Sequence, residues 1–165
     1  LFKKLKECDE NHVVFVSQTH DKKSNPLSYE MKVWFLKRTF PDINFSDDLS
    51  IRTLFDALEI FDREGFERVI MVVGQDRVTE VRNIVQPYLN NPSKTPNFKF
   101  QFLTISAGNR DPKSRGLIKG ISASKMRQFA IDMDWWKFRV GCPVSMTDID
   151  AYAMMLGVRE GLGLK

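Results

Sequence analysis

A domain of helices packed on a mostly parallel β-sheet is the fold class that this sequence predicts. Two observations predict it. The runs His12-Val13-Val14-Phe15-Val16-Ser17 and Arg68-Val69-Ile70-Met71-Val72-Val73-Gly74 are continuous, β-branched and aromatic, as strands buried on both faces are. Between and after them the apolar spacing switches between helical and extended periods, in the order strand, helix, strand, helix, strand, helix, strand. That alternation lays helices on the faces of a sheet through right-handed crossovers.

The first helix is expected over about residues 29–39, with Met31, Phe35 and Leu36 on one face, and the short strand Ile43-Asn44-Phe45 follows it. A second helix over about residues 51–63 aligns Leu54, Leu58 and Phe61. After Gly74 a third runs from about Thr79 to Tyr88 and stops in an Asn/Pro/Ser/Lys loop, and Phe98 to Thr104 alternates as a strand. Beyond Arg127 the pattern is wholly helical, with a turn at Gly141-Cys142-Pro143 and a new start where Thr147 and Asp150 have capping-box spacing. The 165 residues suit one domain over 1–165, its C-terminal helical part covering about 122–165.

Composition excludes several classes. Hydrophobic residues make up 42% and charged residues 28%, with thirteen Phe to fill a core, so disorder is not expected. No apolar run is long enough to cross a bilayer and no signal-peptide pattern opens the chain, which predicts a cytoplasmic protein without membrane partners. Cys8 and Cys142 have neither disulfide-framework nor zinc-site spacing and are expected to be reduced, buried thiols. A net charge of +4 favours anionic partners.

Open parallel sheets bind ligands beyond the carboxyl ends of their strands. The residues there are polar: Ser17-Gln18-Thr19-His20-Asp21-Lys22-Lys23, Gly74-Gln75-Asp76-Arg77 and Ser106-Ala107-Gly108-Asn109-Arg110. Downstream, Gly120-Ile121-Ser122-Ala123-Ser124-Lys125-Met126-Arg127 has the makings of a phosphate cradle. Gly120 frees the backbone, Ser122 caps a first turn whose N–H groups and dipole attract an anion, and Lys125 and Arg127 add full charges.

These residues resemble the nucleotidyltransferases of the HxGH superfamily, the adenylyl- and cytidylyltransferases, and especially their short phage-encoded members. Gly120 to Arg127 is similar to the Ile-Ser-Ser-Thr-x-x-Arg signature, with Ala123 and Ser124 as mild replacements. Lys22-Lys23-Ser24-Asn25-Pro26-Leu27-Ser28-Tyr29-Glu30-Met31 resembles the family's basic loop and Pro-x-Ser helix start, and Gly74-Gln75-Asp76 its Gly-x-Asp. The Met146 to Gly163 helix is similar to the C-terminal helix of the phage members. The resemblance spans essentially the whole chain and implies a Rossmann-like, doubly wound parallel sheet with C-terminal helices.

One departure stands out. The family's His-x-Gly-His is absent, and the only histidines, His12 and His20, are eight residues apart with no glycine between them. The chain opens with Leu1-Phe2-Lys3-Lys4-Leu5, like the helix that follows that motif, so the first strand is missing from it. The expectation is that residues precede Leu1 in the parent protein, or that another polypeptide supplies the strand, because a sheet without its central strand leaves backbone groups unpaired.

The resemblance implies transfer of a nucleoside monophosphate from a nucleoside triphosphate, carrying Mg²⁺, to a phosphate-bearing acceptor, with pyrophosphate leaving. Ser122, Ser124 and Arg127 would hold the β- and γ-phosphates, with Lys125 a lesser contributor. Lys22 or Lys23 would neutralise charge on the α-phosphate or hold the acceptor's phosphate. Asp76 would take the ribose hydroxyls, or else merely cap the next helix, while Gly74 admits the ligand to the backbone. His20 sits on the rim and could reach a phosphate; His12 reads as structural. Trp135, Trp136 and Phe138 read as core more readily than as a stacking surface, and Met154-Met155 likewise as packing. No carboxylate cage for a metal is evident. Nicotinamide mononucleotide with ATP is the first expectation for the substrates, and glycerol phosphate with CTP the second.

Two rival readings belong to other classes. Arg110, Lys113, Arg115, Lys119, Lys125 and Arg127 form a basic stripe that nucleic acid would fit, although no aromatic lies between Phe102 and Phe129 to stack on bases. The other is a catalytically silent nucleotidyltransferase fold kept for assembly.

Overall fold

The computed structural model describes residues 4–5, 11–108 and 121–164. Most of Leu1-Phe2-Lys3-Lys4-Leu5, Cys8, Asn109, Gly120 and the stripe residues Arg110, Lys113, Arg115 and Lys119 lie outside the described residues. The fold is mixed α/β, with six α-helices and a two-stranded parallel sheet among the described residues. No helix there is long and apolar enough to cross a membrane. The chain divides into two compact units, one of residues 1–12 and 48–110 and the other of 13–47 and 111–165. The first is the sheet unit, the second the helical unit.

In the helical unit, α1 spans Tyr29–Thr39 and begins because the Ser28 hydroxyl accepts the Met31 N–H at 3.3 Å. In the sheet unit, α2 (Leu54–Arg63) opens on a reciprocal capping box between Thr53 and Asp56. Strand β1 (Arg68–Val73) leads through a 3₁₀ turn at Gln75–Arg77 into α3 (Val78–Val85), and the chain returns as β2 (Gln101–Ser106). The two strands pair in parallel from Arg68 opposite Gln101 to Val73 opposite Ser106. Leu58, Val69, Val85, Phe98 and Phe100 form the core of this unit, with the Phe98 and Phe100 rings stacked at 5.2 Å. Burying such aromatic area is what holds so small a sheet together.

The other helices of the helical unit are α4 (Ala123–Ile131), α5 (Trp135–Gly141) and α6 (Asp148–Gly161). Asp134 and Thr147 cap the last two by accepting the N–H of Lys137 and of Asp150. Phe35 of α1 shares a core with Ala130, Phe138, Cys142, Met146, Ala151, Met155 and Val158. Asp150 is buried, and the Arg38 guanidinium bonded to it at 2.9 Å holds its carboxyl below the usual range. Burial pushes the Cys142 thiol up to about 11, so it is a packing residue. Arg159 closes α4 by donating to the Ala130 and Ile131 carbonyls at 2.9 and 2.7 Å.

Two expected strands are not formed as ladders. His12 to Ser17 and Ile43 to Phe45 meet only at a parallel bridge between Val14 and Phe45, with Phe15 exposed. An apolar β-branched run specifies an extended backbone, but a strand also needs a partner of matching length. Here the neighbouring segment offers Val14 only the Asn44 carbonyl and the Ser46 N–H. The last strand begins three residues later than its alternation implies, because Phe98 is engaged by Leu89 instead.

Candidate functional site

The start of α4 is built as the Ser-Ala-Ser sequence requires. Ser122 has an extended backbone and its hydroxyl accepts the Lys125 N–H at 3.2 Å. No described residue is recorded as accepting the N–H groups of Ala123 and Ser124, which belong to the first turn at the positive end of the helix. Ser124 and Lys125 are exposed. Arg127, one turn further on, folds its guanidinium back over this turn: Nη2 donates to Ser124 Oγ at 3.1 Å and Nη1 to the Ser24 carbonyl at 2.9 Å. A guanidinium carries five N–H donors, so further donors are left for an anion.

Ser24 belongs to the basic loop, which is tied into shape by one carboxylate. Asp21 Oδ1 accepts the N–H groups of Lys23 and Ser24 at 2.8 and 2.6 Å, and Oδ2 accepts the Asn25 amide at 2.6 Å. The Asn25 side chain and then these backbone donors hold the Asp21 carboxyl far below the usual range. The loop therefore presents Lys22 and Lys23 from a fixed turn, both exposed. Its flanks are also anchored. Lys32 donates to the carbonyls of Ser17 and Thr19, its own pKa lowered by burial, and His20 Nε2 bonds the Pro26 carbonyl at 3.1 Å.

The helical unit thus brings together Lys22, Lys23, Ser122, Ser124, Lys125 and Arg127, with His20 on the same loop. Gly74 and Asp76 belong to the sheet unit. There the loops after the two strands are joined, Ala107 N–H to the Val73 carbonyl at 2.7 Å and Gln75 N–H to the Gly108 carbonyl at 3.3 Å. Gly74 starts the 3₁₀ turn without a side-chain cap, and Asp76 curls over it, so a Cβ at Gly74 would lie 2.6 Å from Asp76 Oδ1. Asp76 does not cap α3, whose start has no side-chain cap.

The aromatic cluster divides. Phe138 is buried, Trp135 packs on the core against Tyr152, and Trp136 is 74% exposed. Met155 is buried and Met154 packs beside the core.

Sequence reasoning missed three participants: the Asp21 turn, the Ser24 carbonyl and the C-terminal helix. Asp followed by Lys-Lys-Ser-Asn is a turn signature and could have revealed the first. The third shows only in space, where Gly157, Glu160 and Gly161 of α6 line one cleft with His20, Asp21 and Lys22.

Chemically the arrangement is a cationic, donor-rich pocket edge suited to oxyanions. No group of three or more metal-binding side chains occurs among the described residues. Searches against protein-family models, curated proteins and solved structures find no match to this chain.

Proposed function

We propose that the protein is a nucleotidyltransferase that moves a nucleoside monophosphate from a nucleoside triphosphate to a phosphate-bearing acceptor. An acceptor oxygen attacks the α-phosphorus, the bond from that phosphorus to the bridging oxygen breaks, and pyrophosphate leaves with the bond's electrons. No protein nucleophile is needed, and positioned cations take up the growing charge. The first turn of α4, Ser122, Ser124 and Arg127, holds the β- and γ-phosphates. Lys22 and Lys23 face the α-phosphate or the acceptor. Mg²⁺ accompanies the triphosphate as part of the substrate. In this reading β1 and β2 belong to a Rossmann-like, doubly wound sheet.

The observation that supports it is the double bond of Arg127, to Ser124 and to Ser24. It ties the helix start to the basic loop, the segments to which the resemblance assigns the triphosphate's β- and γ-phosphates and either its α-phosphate or the acceptor's phosphate, although they are about a hundred residues apart in sequence. Titration calorimetry with ATP and CTP in the presence of Mg²⁺ tests the reading. One of the two is expected to bind, and Arg127→Ala to weaken it by at least about tenfold. Absence of binding by both overturns the proposal, and binding without pyrophosphate release with any acceptor marks the catalytically silent fold instead.

A further inference from the structure

In the helical unit α6 has a neighbour on each side, and the contacts fix how each is aligned with it. Arg38 of α1 pairs with Asp150 and Met31 lies against Gly157, so α1 runs antiparallel to α6 and brings Trp34 about level with Met154. Trp135 of α5 packs on Tyr152 and Arg139 pairs with Asp148, so α5 is antiparallel as well and brings Trp136 about level with Ala151. The inner side of α6 is spent on the core through Ala151, Met155 and Val158. Its outer side carries Ile149, Tyr152 and Leu156 at the i, i+3, i+7 spacing of one helix face, and all three are exposed, Ile149 by 81%. Trp34 and Trp136 are exposed too and border that stripe from α1 and α5.

These five side chains leave apolar surface on the order of 600 Å² to solvent, at the upper end of what a monomer shows and most of the roughly 800 Å² that each partner buries in a stable complex. No charged residue occurs in 151–158, so the middle of the face has nothing with which to hold a charged partner. The face is, however, complementary to itself. A two-fold axis crossing α6 between Tyr152 and Ala153 lays a second α6 antiparallel on the first. Ile149 then meets Leu156 of the second copy, the large Tyr152 lies beside its small Ala153, and Trp34 and Trp136, both near the level of the axis, each meet their own counterpart. We propose that the chain forms a two-fold dimer through this outer face of α6, with the two tryptophans closing its flanks. The residues assigned to nucleotide binding take no part in the seam, so the dimer stands or falls apart from the transfer reading.

Sedimentation velocity from about 1 to about 100 μM is expected to show a species of twice the chain's mass that dissociates on dilution. Ile149→Lys and Leu156→Glu each bury an unpaired charge twice in the seam. Each is expected to raise the dissociation constant at least about a hundredfold, with the circular dichroism unchanged because both positions are exposed. The two residues oppose each other across the axis, so Ile149→Lys combined with Leu156→Glu should bring association back to within about tenfold of the unaltered protein. A monomer at about 100 μM, or a dimer indifferent to both single substitutions, overturns the proposal. So does dissociation by the single substitutions without rescue by the pair, which excludes the antiparallel register. A monomer that floats with phosphatidylcholine vesicles overturns it in favour of a lipid surface.

Discussion

Met133 holds a backbone position that glycine would hold at lower cost. Helices α2, α4 and α6 end in the same pair of backbone hydrogen bonds: Phe66 to Phe61 with Gly65 to Asp62, Asp134 to Phe129 with Met133 to Ala130, and Leu164 to Arg159 with Gly163 to Glu160. This ending places the residue after the cap in the left-handed region. Gly65 and Gly163 adopt it at φ 77° and 79°, whereas at α4 Met133 is forced to φ 54°. A Cβ there costs about 1 kcal/mol, and Met133, 44% exposed, regains little by packing. Met133→Gly should therefore stabilise the protein by ~0.5 kcal/mol once the greater freedom of glycine in the unfolded chain is subtracted. A rise of a few degrees in Tm would show it. A fall would mean that the methionine side chain carries packing the present contacts do not reveal.

Helix α6 lies so close to the 20–28 loop that one of its residues admits no side chain. A Cβ on Gly161 would overlap the Pro26 carbonyl oxygen, which is backbone and cannot swing aside, whereas one on Gly157 would meet the terminal methyl of Met31, which can. Gly161→Ala is expected to cost about 1–3 kcal/mol and Gly157→Ala clearly less. Urea midpoints of the two variants check the order, and only Gly161→Ala should also move the NMR signals of the His20 ring by displacing the loop. The helices were the legible elements. Residues 29–39 form a helix at the bounds their spacing implies, because Ser28 supplies the start and a buried Phe35 the face. Ser122 and Thr147 are likewise caps where the sequence places them. The run at His12 to Ser17 misled because strand formation depends on a partner elsewhere in the chain, and the run itself holds no record of how long that partner is.

Across the molecule, Asp21, Glu30, Asp48, Asp56, Asp134 and Asp150 all hold their carboxyls below the ordinary range. The leading causes are, in turn, the Asn25 amide, the N–H of Glu30 itself, the Ser50 hydroxyl, the Arg52 N–H, the Lys137 ammonium and the Arg38 guanidinium. Each folded value lies below the unfolded one of about 4, so the native state favours the ionised form. This stabilisation is complete above about pH 5 and is lost as pH falls through the folded values. Denaturant midpoints should be level from about pH 7 to 5 and drop below about pH 4. A midpoint unchanged at about pH 3 contradicts this account. At this scale the sequence is least informative about the site. The cations of the loop and of the α4 start stand out as local motifs, but the cleft that Glu160 lines together with Lys22 joins positions far apart in the chain, and local spacing carries no trace of it.

The path between the units sets an order of events during synthesis. Helix α1 lies in a segment, 13–47, that shares its unit with 111–165, while 48–110 is built in between as part of the sheet unit. On the ribosome, the apolar face around Phe35 emerges long before Ala130, Phe138 and Met155 exist to cover it. At roughly 5–20 residues per second, that face waits for several seconds or more on the nascent chain. Chaperone capture is therefore expected to concentrate on α1, and to end when α6 clears the exit tunnel.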